Sequence, residues 1–191
     1  MNVTVSVNDK ALIDALIGLG KETERALTSA LNTSARKVRT EAVKIIQQEL
    51  NVKTGSATKA IKVQRAYRGS SVASLQISGW PIPMIGYLGT TQGKKGVSVK
   101  VKRFGKRTIL KHAFIATMRS GHKGVFWREK SATSRSGLVG RLKIQELFSL
   151  ALQQALPTIK IDRLIDLARK SIAMELAREI KFRMGRRSSK L

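Results

Sequence analysis

The period of apolar and polar positions changes along the chain. Val3, Val5 and Val7 alternate with polar neighbours, the two-residue period of a strand with one buried face, so a short strand is predicted over 1–8. Asn8 or Asp9 then caps a helix, and no proline interrupts Lys10 to Leu50. Within that run Leu27, Leu31, Ala35, Val38, Ala42 and Ile45 recur at spacings of three and four, which predicts a long helix over 9–50. Unbroken, such a helix is about 60 Å long at 1.5 Å per residue. Either it breaks near Gly18 and Gly20, or it projects towards neighbouring subunits.

After Gly55 the period shortens to two, and 58–146 reads as a β-rich region. Residues 60–68 and 72–78 form two strands around a Gly69-Ser70-Ser71 turn, with Ile61 and Val63 on one face of the first and Ala73, Leu75 and Ile77 on one face of the second. Val97, Val99 and Val101 alternate with Ser98, Lys100 and Lys102, and a turn at Phe104-Gly105-Lys106 leads into RTILKHAFIAT, a second hairpin with a basic outer face. A third pair joins 124–130 to 138–145 through a Ser-rich loop. Short connections imply antiparallel pairing throughout. Helical spacing returns over 147–185, where ELFSLALQQAL stops at Pro157 and Ile165, Ala168, Ile172, Leu176 and Ile180 mark a final helix. Asp166 with Lys170, and Glu179 with Arg183, stand four apart in the favourable order. The predicted fold is α+β, a single domain over 1–191: antiparallel β-hairpins forming a twisted sheet, packed by a long N-terminal helix and C-terminal helices, with a basic tail at 186–191.

Charge changes this picture most in the middle of the chain. Lys and Arg number 37 against 12 Asp and Glu, a formal net charge of +25. The 79 residues from Leu50 to Arg128 hold sixteen Lys and Arg and no carboxylate. Such a surface attracts polyanions through Coulomb attraction and counterion release. The same stretch has no carboxylate with which to ligate a metal or move a proton. A hydrophobic content of 42% arranged in clear periods argues for a folded chain. No cysteine is present, which excludes disulfides and thiolate zinc sites and fits assembly in a reducing cytosol. No apolar run reaches the roughly 20 residues a bilayer span needs, and the N-terminus lacks a signal-peptide layout, so neither a membrane partner nor secretion by that route is expected.

The remaining candidates for chemistry are sparse. His112 and His122 flank a predicted turn with no nearby carboxylate in sequence, and are read as partly exposed or backbone-bonded histidines. No cysteine or Gly-x-Ser-x-Gly elbow offers a nucleophile. Gly93-Lys94-Lys95-Gly96 lacks the spacing and ending of a P-loop and reads as a solvated basic turn. The twelve carboxylates are dispersed, unlike those of a two-metal nuclease. The expectation is no enzyme, no cofactor, no metal and no catalytic residue. Tyr67, Phe104, Phe114, Phe126 and Trp127 do not interleave with the basic residues as an RNA-stacking platform requires. The candidate contacts to DNA or to an acidic partner are Lys94, Lys95, Lys100, Lys102, Arg103, Lys106, Arg107 and Lys111. Trp80, Pro81, Ile82 and Pro83 form a second candidate set, because two prolines exclude a central strand while the bulky residues seek burial, in the chain's own core or against another subunit.

The order of these pieces resembles the prophage minor tail protein Z family, the tail completion proteins of lambda-like long-tailed phages. A long N-terminal helix precedes a Pro-apolar-Gly passage from Pro81 to Gly86 and a basic run from Lys94 to Lys111. Ala113, Phe114 and Ile115 follow, then Met118, Gly121, His122, Gly124, Val125 and Arg128, and a Leu156-Pro157 break precedes the last helix. The resemblance implies a structural virion protein without a catalytic site, assembled in the host cytoplasm and located at the head-proximal end of the tail. It also implies a homo-hexameric ring matched to the sixfold tail, with the tail terminator, tail tube or neck proteins as partners and double-stranded DNA in its lumen. The alternative is a non-specific nucleic-acid-binding protein, ribosome-associated or a DNA-packaging factor, and a nuclease stands as a third class to be tested.

Overall fold

The computed structural model describes residues 2–6, 21–67, 72–128, 143–152 and 161–188. It is an α+β protein in which, among the described residues, every strand pairing is antiparallel. The chain forms two compact units: one of 1–45, 58–79 and 153–191, the other of 46–57 and 80–152.

The first unit holds most of helix α1 (Lys21–Glu49), strands β1 (Asn2–Ser6), β2 (Ile61–Gln64) and β3 (Val72–Ile77), and helix α3 (Ile161–Ser188). The apolar stripe read from the sequence is the buried face of α1, since Leu27, Leu31, Ala35, Val38, Ala42 and Ile45 are all buried. The predicted break at Gly18 and Gly20 lies outside the described residues. The sheet has the order β1-β3-β2, with Val3 opposite Leu75 and Val63 opposite the same residue on the other side. Ile61, Ala73, Leu75 and Ile77 are buried, as their alternation predicts. Asn32 ties α1 to the chain beyond β2 by donating to the Ala66 carbonyl and accepting from the Ala66 amide. Leu164, Ala168 and Ile172 form the apolar face of α3. The seam between α1 and α3 also carries polar pairs, with Ser171 donating to Ser34, Ser29 to Glu179 and Lys37 to Glu175. Of the two predicted four-residue pairs, Glu179 and Arg183 meet at 3.4 Å. Helix α3 continues to Ser188, into the stretch expected to be a basic tail.

The second unit begins at the last turn of α1 and contains helix α2 (Thr54–Ala60) up to Ala57 and three small sheets. Strands β5 (Thr91–Gly93), β6 (Gly96–Val99) and β7 (Thr108–Lys111) form one sheet in that order. Strands β8 (Phe114–Thr117), β9 (Lys123–Arg128) and β10 (Ile144–Glu146) form another, with β9 central. Strands β4 (Pro81–Pro83) and β11 (Phe148–Ala151) form the third. The core gathers Ile46, Val52, Ile82, Tyr87, Val97, Val99, Val125 and Leu152.

Several expectations are corrected here. The twisted sheet is divided into four small sheets, counting that of the first unit. RTILKHAFIAT is not one strand: His112 takes a φ of 62°, and the chain leaves β7 to begin β8 in a different sheet. The helix expected from 147 begins instead as β11, where Pro81 and Pro83 leave Ile82 as the only amide donor of β4 and the strand must be completed by a partner's backbone. Helix α2 was not anticipated, because its TGSATKA sequence carries no apolar stripe and buries Ala57 alone.

Candidate functional site

Arginine and lysine in the acid-free segment take different positions. Arg103 donates from its guanidinium to the Gln47 carbonyl at 2.9 Å and from its amide to the Glu49 carbonyl, closing the last turn of α1. Those carbonyls have no partner within the helix, and a cation there also meets the negative end of its dipole. Arg107 donates to the Gly89 carbonyl at 2.9 Å and to the Ser98 hydroxyl at 3.3 Å. Arg128 lies over the Phe114 ring, 5.7 Å from its centroid. The planar guanidinium suits these fixed multidentate and stacked positions better than an ammonium does. Arg103 and Arg107, read from the sequence as candidate DNA contacts, therefore hold their own fold together through part of their donor capacity.

The lysines divide further. Lys102 pairs through its backbone with Leu50, and the Lys100 carbonyl accepts from the Asn51 side chain. Lys106 is exposed beyond the turn at Phe104. Lys94, Lys95 and Lys111 are brought together. Gly93 pairs with Gly96, which leaves Lys94 and Lys95 as the two turn residues of the β5–β6 hairpin, and Gly96 pairs in turn with Lys111 on β7. These three lysines, Gln92 and His112 line a cavity of about 370 Å³.

The Trp80 to Pro83 set also separates. Ile82 is buried in the core of its own unit, one of the two places its sequence allowed for it. Trp80 is 82% exposed, Pro81 is exposed and Pro83 is half-buried. Phe148 and Leu150 on the paired strand β11 are also exposed, giving this two-stranded sheet an apolar outer side.

One pairing was missed in the sequence. His122 Nε2 lies 2.9 and 3.0 Å from the two carboxylate oxygens of Glu146. The partner is 24 residues away and arrives through the pairing of β10 with β9. Gly124 makes the room, since a Cβ there would stand 2.7 Å from Glu146 Oε1 and 2.8 Å from Phe126 Cζ. This half-exposed imidazole and its carboxylate clasp two strands; among the described residues no three His, Cys, Asp or Glu gather as metal ligands. In the core, burial raises the pKa of the Tyr87 phenol above its ordinary 10.0, and the Ser149 side chain pulls it partly back. Among the described residues its hydroxyl has no hydrogen-bond partner at normal geometry. Among the described residues no helix is long and apolar enough to cross a membrane.

Compared with protein-family models, curated proteins and solved structures, the chain matches none.

Proposed function

We propose that this chain is a structural virion protein of a phage neck, a tail completion protein that assembles as a ring at the head-proximal end of the tail. The observation that carries this reading is the coexistence, in the second unit, of the 50–57 and 80–128 parts of the carboxylate-free basic segment with the exposed apolar residues Trp80, Phe148 and Leu150. A ring subunit beside the DNA path needs both: a positive surface that meets phosphates without reading bases, and apolar area for its neighbours. The order of motifs, which resembles that of the minor tail protein Z family, supports a hexamer that contacts the tail terminator and the tail tube or neck proteins.

Sizing of the purified protein by light scattering, together with imaging on tails, tests the reading. A defined ring, or density at the head-proximal tail end, is the expected result; a persistent monomer that never associates with tails overturns it. The convergence of Lys94, Lys95 and Lys111 on one cavity favours a second reading, a non-specific nucleic-acid-binding protein. In that case the isolated monomer binds duplex DNA with an affinity that falls steeply with salt.

A further inference from the structure

The two-residue turn of the β5–β6 hairpin places Lys94 and Lys95 side by side, and the register of β6 on β7 brings Lys111 opposite Gly96. Residue 96 must lack a side chain: its φ is 135°, and a Cβ would stand 2.1 Å from the Leu110 carbonyl oxygen. The two strands therefore close tightly at this end. Beyond Lys111 the left-handed His112 reverses the chain, and the Ile115 amide donates to Gln92 Oε1 at 2.7 Å, which binds the start of β8 to β5. Lys94 and Lys95 of the turn, Lys111 at the end of β7 and His112 after it thus line one concavity of about 370 Å³.

Among the described residues no carboxylate pairs with these cations. The described carboxylates of this unit are Glu49 and Glu146. Neither lines the cavity, and Glu146 is engaged by His122. No ion pair joins Lys94, Lys95 or Lys111 to a described carboxylate. Like charges gathered in a concave wall raise the local potential and draw in an anion. We infer that this cavity is a phosphate-binding site, occupied by a phosphate group carried on a nucleotide or on a nucleic-acid backbone. A phosphate offers several acceptor oxygens to the several donors here, and lysine holds it as a point charge without the bidentate geometry of arginine. The cavity has room for the sugar that bears it. The site goes beyond the ring reading and stands whether or not the chain oligomerises.

The test uses the full-length, isotope-labelled protein, titrated separately with inorganic phosphate and with a short DNA duplex, while the amide resonances of 92–96 and 111–113 are followed. Saturable shifts confined to these amides are expected. Binding of phosphate without duplex identifies a free phosphate or nucleotide as the occupant, and displacement of phosphate by duplex identifies the backbone. A variant carrying Lys94→Ala, Lys95→Ala and Lys111→Ala is expected to lose the phosphate response, while one carrying Lys100→Ala, Lys102→Ala and Lys106→Ala keeps it. Where duplex binds, three lysines sharing one phosphate lower the slope of log affinity against log salt by about 1, whereas three separate contacts lower it by about 3. The larger drop, equal loss in both variants, or no saturable shift with either probe overturns the site. The Lys94→Ala, Lys95→Ala pair alters only turn residues and separates loss of the site from loss of the fold. Oligomer size, measured on the same samples, reports independently on the ring.

Discussion

At the scale of the residue, Glu175 shows how charge is used inside the first unit. It is buried on α3, yet the hydrogen bond from Lys37 holds its carboxyl below the usual glutamate value; burial opposes this, and the charge of Arg178 assists it. A lowered folded pKa stabilises the protein fully above the ordinary value of 4.5, and that stability is lost as pH falls through the lowered value. Glu175→Gln is therefore expected to cost about 1–3 kcal/mol at neutral pH, with the gap to the parent narrowing in acid. Denaturant melts over a pH series check both. Gly96 is the second sensitive residue. Gly96→Ala meets both a positive φ and the Leu110 carbonyl, and is expected to cost at least ~2 kcal/mol. Gly121→Ala, at a φ of 79° with nothing within 4 Å, bears the backbone term alone and should cost about 1–2 kcal/mol. Equal thermal shifts for the two would remove the argument from steric closure.

At the scale of the element, α1 and β4 are the informative cases. The C-terminal turn of α1 is closed by Arg103 from a turn more than fifty residues later, at Gln47 and Glu49. Arg103→Ala removes the guanidinium bond and the favourable charge at the helix end but keeps the amide bond. It is expected to cost about 0.5–2 kcal/mol and to speed amide exchange in the last turn of α1. Unchanged exchange there would mean that the backbone bond alone secures the helix. Strand β4 shows the converse dependence. With proline at two of its three positions it takes its place from β11, a segment whose apolar content reads as helical in isolation.

At the scale of the whole molecule, the two units differ in what they expose. The second unit carries the acid-free segment apart from 58–79, together with the Trp80, Phe148 and Leu150 flank. Replacing an 82% exposed tryptophan removes little core packing, so Trp80→Ala is expected to shift monomer stability by no more than about 0.5 kcal/mol. If that flank meets neighbouring subunits, the same change lowers the assembled fraction measured by light scattering. Equal losses of monomer stability and assembly would place Trp80 in the unit's own packing.

Legible in the residues alone were the buried stripe of α1, the pairing of β2 with β3 and of β6 with β7, the Ala168 and Ile172 part of the buried face of α3, and the carboxylate-free basic middle. These are local properties, readable because side-chain direction repeats every 3.6 or two residues along one element. Only the tertiary structure decided that Arg103 and Arg107 serve their own backbone, that Ile82 is core while Trp80 is not, that Glu146 reaches His122, and that Lys94, Lys95 and Lys111 line one cavity. Each of these depends on which strand lies beside which. Register between distant segments is set by the packing of the whole unit and leaves no periodic mark in the residues it brings together.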